Sequence, residues 1–228
     1  MRELYRFPHT SHLAWLGDSE PRDDKVLSPR DARELLAGDL VVEEKLDGAN
    51  LGFSVTIDGN LQAQNRSHYL TEPYMGQFSR LRSWLPSHEN KLLKALGSDL
   101  IAFGEWCVAR HSLTYDQLPD WWLLFDVYDR RKQQFWSTER RNQWASDLGI
   151  YTVPTLERGK FSMSSLKQLL QGARSTFSTG PLEGVVVRSE NDAWLKSRAK
   201  LVRADFTQHI ENHWRTRALE WNKLKEAE

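Results

Sequence analysis

The sequence predicts an α+β domain of antiparallel sheets flanked by helices. Strand-like and helix-like segments are intermixed without regular β–α alternation, a pattern that disfavours a doubly wound parallel sheet. Asp58-Gly59-Asn60 separates two such strand-like segments, which is a strong signal for an antiparallel hairpin. No Pro/Gly-rich linker divides the 228 residues, so a single domain over 1–228 is expected.

The elements follow in order. Ser28-Pro29 opens a short helix through Ala37, with Ser at the N-cap, Pro at N1 and Gly38 at the end. Strands are predicted near 41–46, 51–57 and 61–66. Residues 74–96 have a helical pattern expected to break at Pro86. Strands return near 100–108 and 122–129; in the latter, alternation puts Phe125 and Val127 on one face and Asp126 on the other. A helix from Ser137 to Leu148 begins at a Ser137 or Thr138 cap. The stretch 159–181 is rich in Ser, Thr, Gly and Lys and reads as a surface excursion holding one helix, Ser164–Leu170. Strands over Gly184–Arg188 and Ala193–Lys196 precede a long terminal helix, about 204–225.

Composition narrows the function classes. Hydrophobic content of 39% with 27% charged residues fits a soluble globular protein, and the formal net charge is zero. A protein that coats nucleic acid is usually basic, so any polynucleotide must meet a local cationic patch. The single cysteine, Cys107, excludes an intrachain disulfide and a multi-cysteine zinc site, and its apolar setting predicts a buried thiol. The N-terminus lacks a signal-peptide core and no apolar run reaches membrane-spanning length, so a cytoplasmic setting is expected. Most of the ten tryptophans belong to amphipathic segments and are expected in the core.

Chemistry concentrates in Glu44-Lys45-Leu46-Asp47-Gly48-Ala49-Asn50, a tight turn between two strand-like runs. Taken alone, Lys-x-Asp-Gly is an ordinary hairpin turn. A lysine that attacks phosphorus must be neutral, so its pKa is expected to be depressed by burial and nearby cations or a metal. Four further strings follow: Gln64-Asn65-Arg66-Ser67, Phe103-Gly104-Glu105-Trp106, the 123–128 strand with Phe125, and Glu183-Gly184-Val185-Val186-Val187. A basic cluster, Lys196-Ser197-Arg198-Ala199-Lys200 and then Arg203, closes the series. Together they supply a nucleophile, carboxylates for a divalent cation, an aromatic for a purine face and cations for a triphosphate.

This ordered set resembles the covalent nucleotidyltransferases, the polynucleotide ligases and mRNA capping enzymes. It is most similar to the ATP-dependent RNA ligases of the phage-type RNA ligase 2-like group. The Phe7-Pro8-His9-Thr10-Ser11-His12-Leu13 and Arg198–Arg203 strings are similar to bacterial RNA ligase-family proteins. The resemblance spans nearly the whole chain. It implies a nucleotidyltransferase (ATP-grasp-like) domain, ATP with Mg²⁺ or Mn²⁺, and RNA ends as substrate.

Residue by residue, it implies that Lys45 takes AMP covalently, with Asp47 organising the lysine and, with Glu183, the metal. Asn50 contacts the nucleotide or the RNA end. Arg66 holds ribose or phosphate, Glu105 the ribose hydroxyls, and Phe125 stacks on adenine; Glu44 and Lys200 join the nucleotide-binding set. The final Lys-x-Lys motif is matched by Lys196-x-Arg198 or Arg198-x-Lys200. The first is preferred because Lys196 ends the strand expected at Ala193–Lys196. Too little chain follows Arg203 for an OB-fold, which leads to the expectation of a lone catalytic core. The terminal helix, with His209, His213, Trp214, Arg215 and Arg217, or a partner that processes ends or binds RNA, would then aid RNA grip. A GTP-using capping enzyme, a DNA ligase and a non-sealing binding relic are the alternatives.

Overall fold

The computed structural model describes residues 3–17, 26–209 and 219–226. Helix α1 (Pro29–Leu36) starts as its sequence predicts, with the Ser28 hydroxyl accepting from the Asp31 amide. Strands β1 (Leu40–Lys45), β2 (Ala49–Val55) and β3 (Leu61–Gln64) follow, and Gly59 turns the β2–β3 hairpin at φ 81°. Helix α2 (Leu81–Leu96) comes next, then β4 (Leu100–Trp106), β5 (Trp122–Asp129), β6 (Gln134–Phe135) and α3 (Thr138–Asp147). The chain continues through β7 (Thr155–Gly159), α4 (Met163–Gly172), β8 (Gly184–Glu190), β9 (Leu195–Val202) and α5 (Ala204–His209).

The strands form two antiparallel sheets, ordered β7-β1-β8-β9 and β3-β2-β4-β5-β6. Each sheet buries one face under helices. Alternate residues Val185 and Val187 of β8 and Ala199 and Leu201 of β9 pack with Leu35 of α1 and Leu166 and Leu170 of α4. In the second sheet, Leu51, Phe53, Trp106, Trp122 and Leu124 pack with Trp84, Leu92 and Leu96 of α2. Their intervening residues line a cleft between the sheets, among them Val186, Arg188, Arg198, Lys200, Asn50 and Glu105. Among the described residues, no helix is long and apolar enough to cross a membrane.

Several expectations are corrected. Pro86 does not break α2; the helix runs through it because Leu81 and Trp84 before it and Leu92 and Leu96 after it are buried on one side. Residues 159–181 are no simple excursion: α4 is part of the core, and Phe177 is buried. The β4–β5 register shifts so that Phe103 pairs Asp126 while Gly104 pairs Leu124, leaving Phe125 as a bulge. Phe125 and Asp126 therefore both line the cleft, while Val127 joins the core with Leu124. β9 is longer than expected and continues to Val202, carrying Lys196, Arg198 and Lys200, with Arg203 directly after its end.

The long terminal helix is not continuous to 225. It is described as α5 to His209, and residues 219–226 run extended against the 107–118 loop through isolated bridges of Trp221 with Ala109 and Leu224 with Leu118. His213, Trp214, Arg215 and Arg217 lie outside the described residues.

Candidate active site

The cleft has a volume of about 480 Å³. β1 ends in Lys45 at its floor, and the turn into β2 is tight: a Cβ on Gly48 would sit 2.6 Å from the Trp106 carbonyl oxygen. A side chain there would push β2 off β4. The Gly48 amide, left free to approach, donates to Glu105 Oε1 at 3.0 Å. Lys45 Nζ donates to both carboxylate oxygens of Glu183, at 2.6 and 2.7 Å, bridging 138 residues of sequence. The lysine side chain is 26% exposed and that of Glu183 11%.

The electrostatics of this group run opposite to the expected depressed lysine pKa. Burial works against the ammonium, but the carboxylates of Glu183, Glu105 and Asp47 outweigh it and hold Lys45 above its ordinary value. Conversely, burial pushes Glu105 and Glu183 up to about 7, an increase that nearby Lys45 only partly offsets. The lysine is a charged ion-pair partner, because carboxylates rather than cations surround it.

Asp47 is placed differently from its neighbours. Its Oδ2 accepts from the backbone amides of Ser112 (2.6 Å) and Leu113 (2.9 Å), and its own amide donates to the Tyr115 hydroxyl at 2.9 Å. It is not among the residues that line the cleft. Glu44 has its carboxylate turned to the Ser175 hydroxyl (2.6 Å) and the Thr176 amide (2.9 Å) while the residue borders the cleft. Asn50, across from Glu105 in the β2–β4 ladder, lines the cleft with its buried Oδ1 lacking any hydrogen-bond partner among the described residues. Arg66 stands exposed at the rim, in a turn that the Asn65 side chain closes onto the Ser67 and His68 amides.

Of the basic cluster, Arg198 and Lys200 line the cleft and Lys196 does not. Ser189 pairs Ser197 whereas Glu190 pairs Leu195, so Lys196 is the extra, exposed residue of a bulge. Among the described residues, no group of three His, Cys, Asp or Glu side chains is placed to hold a metal by itself. Glu183 presents its carboxylate to the cleft, and carboxylate oxygen is the donor type a hard cation prefers. The Asp47 carboxylate, occupied by the 112–113 amides, does not share that placement.

Several site residues had no role assigned from sequence. Residues 7–13 form a strap over the cleft, tied to β9 where Leu13 N donates to the Lys200 carbonyl (2.7 Å) and Lys200 N to that of Ser11 (2.9 Å). Phe7, from this strap, meets the edge of Phe125 at 5.1 Å, and the Arg198 guanidinium lies 4.4 Å over the Phe7 ring. Beneath it is a buried ion-pair network. Arg141 of α3 pairs Glu43 at 2.5 Å and donates to the bulged Phe125 carbonyl; Arg188 pairs Asp126 at 3.0 Å and Glu43 at 3.6 Å; Arg198 also pairs Asp126. The network ties the two sheets together at the base of the cleft.

A sequence-family model described as RNA ligase matches residues 38–202. No curated protein matches the chain. Among solved structures, a Naegleria gruberi RNA ligase variant with ATP and Mn superposes with a TM-score of 0.64 at 19% identity, covering 92% of this chain and 59% of that one. The same organism's ligase with PPi gives 0.60 at 21%, covering 79% and 54%. An archaeal ATP-dependent RNA ligase gives 0.59 at 18%, covering 88% and 49%. These likenesses establish the fold, and the chain spans about half to three-fifths of the length of these ligases. Because the family match covers the Lys45 turn, both sheets and β9, the chain belongs to the RNA ligase family.

Proposed function

We propose that this chain is an ATP-dependent RNA ligase that seals a 3′-hydroxyl to a 5′-phosphate through AMP carried on Lys45. The observation that supports this most directly is the placement of Lys45 Nζ against Glu183 on the floor of a cleft bordered by Phe125, Glu105, Arg66 and Lys200. Within the family, the Lys-Leu-Asp-Gly-Ala-Asn turn favours the phage-type RNA ligase 2-like group.

In the first step the Lys45 amine attacks the α-phosphorus of ATP, a P–N bond forms, and the bond to the departing pyrophosphate breaks. The amine must first shed a proton, and a divalent cation held by Glu183 would replace the ion pair that keeps the ammonium charged. A divalent cation carried with ATP would supply positive charge at the phosphates, with Glu183 the cleft carboxylate suited to hold it. Phe125, its bulge fixed by the Arg141 guanidinium on its carbonyl, offers a face for adenine, and Glu105 an acceptor for ribose hydroxyls. Arg66 and Lys200 offset phosphate charge, while Arg198, paired with Asp126, borders the same wall. Next, an oxygen of the RNA 5′-phosphate displaces the lysine from phosphorus, giving a 5′–5′ adenylate. Finally the 3′-hydroxyl attacks the RNA 5′-phosphorus and loses its proton as AMP departs.

Incubation with α-labelled ATP and Mg²⁺, followed by a denaturing gel and intact mass, tests this reading. An AMP adduct formed from ATP and absent in Lys45→Ala is expected. A GMP adduct from labelled GTP would reassign the chemistry to capping, and no adduct from a protein shown to start unadenylated would overturn the reading.

A further inference from the structure

The Lys45 turn is held from an unexpected direction, the extended segment 219–226. We infer that Asn222 is a positioning residue for the Lys45 nucleophile, acting through Tyr115 and Asp47; the inference rests on the proposed role of Lys45.

The 107–118 loop joins β4 toward β5 without regular secondary structure of its own, so outside contacts must fix it. The tail supplies them. Asn222, 3% exposed, accepts from the Tyr115 amide at 2.9 Å through Oδ1 and donates through Nδ2 to the carbonyls of Cys107 (2.8 Å) and Ala109 (3.3 Å). Its amide donates to the Val108 carbonyl, and the Lys223 amide to the Tyr115 carbonyl, both at 2.9 Å. Both backbone groups of Tyr115 are thus held by the tail. The other end of the same residue reaches the nucleophile turn, where its buried hydroxyl accepts from the Asp47 amide. Ser112 and Leu113, in the same loop, hold the Asp47 carboxylate two residues beyond Lys45.

A buried amide with all its groups paired is costly to leave half-satisfied, so the loop conformation that presents these donors depends on Asn222. Phe125 and Glu105 are carried by the β4–β5 ladder and Arg66 by the turn that Asn65 closes, so their backbone is fixed by hydrogen bonds other than those of the tail. Loosening Asn222 should therefore misplace the attacking amine while leaving nucleotide binding intact, since small displacements of a reacting group cost rate rather than affinity.

The test is single-turnover formation of the lysyl adduct by the full chain. In Asn222→Ala the rate constant at saturating ATP is expected to fall about tenfold or more, with the half-saturating ATP concentration unchanged within about twofold. Tyr115→Phe should lower the rate constant too, and the double variant should be no slower than the slower single one, because both act on one linkage. Amide exchange at Ser112 and Leu113 should quicken in Asn222→Ala while β2 and β4 stay protected. If Asn222→Ala does not fold, Asn222→Asp, which keeps the acceptor for Tyr115 and removes both donors, must show the same fall. A lower adduct yield at an unchanged rate constant, additive losses, or unaltered exchange at Ser112 and Leu113 would each overturn the inference. If the unmutated chain forms no adduct, the nucleophile assignment has failed, and the exchange measurement still decides whether Asn222 fixes the Asp47 turn.

Discussion

Around Lys45, one ammonium faces the carboxylates of Glu183, Glu105 and Asp47, whereas around Arg188 three guanidinium groups, from Arg141, Arg188 and Arg198, face Glu43, Asp126 and Glu190. The two groups start from the same strand, since Glu43 and Lys45 are two residues apart in β1. Their charge balance separates them. The second set is matched, and Asp126, Glu43 and Glu190 together raise the pKa of Arg188 despite burial. In the first set carboxylates outnumber the cation, and two of them are pushed up to about 7, where a proton is readily gained or lost. A matched buried network holds sheets in place, while an acid-rich one around a lysine leaves protons mobile and cations welcome.

The largest break in that comparison comes from unbalancing the matched set. Arg188→Met leaves Asp126 and Glu43 buried with fewer partners and is expected to cost about 3–5 kcal/mol of stability, measured by chemical denaturation. Glu183→Gln removes a carboxylate from the unmatched set and is expected to show no stability loss comparable to that of Arg188→Met at pH 7 while stopping adduct formation. Equal stability losses in the two variants would erase the distinction.

A second, smaller effect is a dependence of stability on pH. Glu105 has its folded pKa raised from 4.5 to about 7, so between these values the folded chain binds more protons than the unfolded one. Stability contributed by this group therefore falls as pH rises through that window. Glu183 behaves in the same sense, and the Arg188 guanidinium remains charged throughout. Glu105→Gln should gain roughly 1–3 kcal/mol over the unmutated chain at pH 8 relative to pH 5. Parallel stability curves for the two would show that burial does not penalise the charged form of Glu105.

The contrast also governs what could be read from sequence. The meeting of Lys45, Glu105 and Glu183 in one cleft was legible because each stands in a distinctive short string, and the antiparallel pairing of β2 and β3 because a hairpin signal is local. The matched network was not, since Arg141 meets Glu43 across 98 residues and Arg188 meets Asp126 across 62. Each of those residues alone resembles an ordinary charged strand or helix residue. Asn222 and Tyr115, 107 residues apart, are illegible for the same reason. The bulges at Phe125 and Lys196 defeat strict alternation, because one extra residue reverses the facing of everything beyond it. The continuation of α2 through Pro86 reflects tertiary burial overriding a local preference.

The bulge at Lys196 yields the smallest expected effect and bears on the basic motif. Sequence favoured Lys196-x-Arg198 because Lys196 ends an expected strand, but β9 continues to Val202 and Lys196 projects from its bulge outside the cleft. Arg198 is committed to Asp126 and to the faces of Phe7 and Phe135, so it belongs to the matched set while bordering the unmatched one. That leaves Lys200 as the lysine on the cleft wall, on the strand that the strap tethers at its backbone. Lys200→Ala is expected to slow adduct formation about tenfold, the worth of one charge-assisted hydrogen bond, and Lys196→Ala to leave it within about twofold. The reverse ranking, measured in the same single-turnover assay, would move the motif back to Lys196-x-Arg198 and require β9 to shift its register when nucleotide binds.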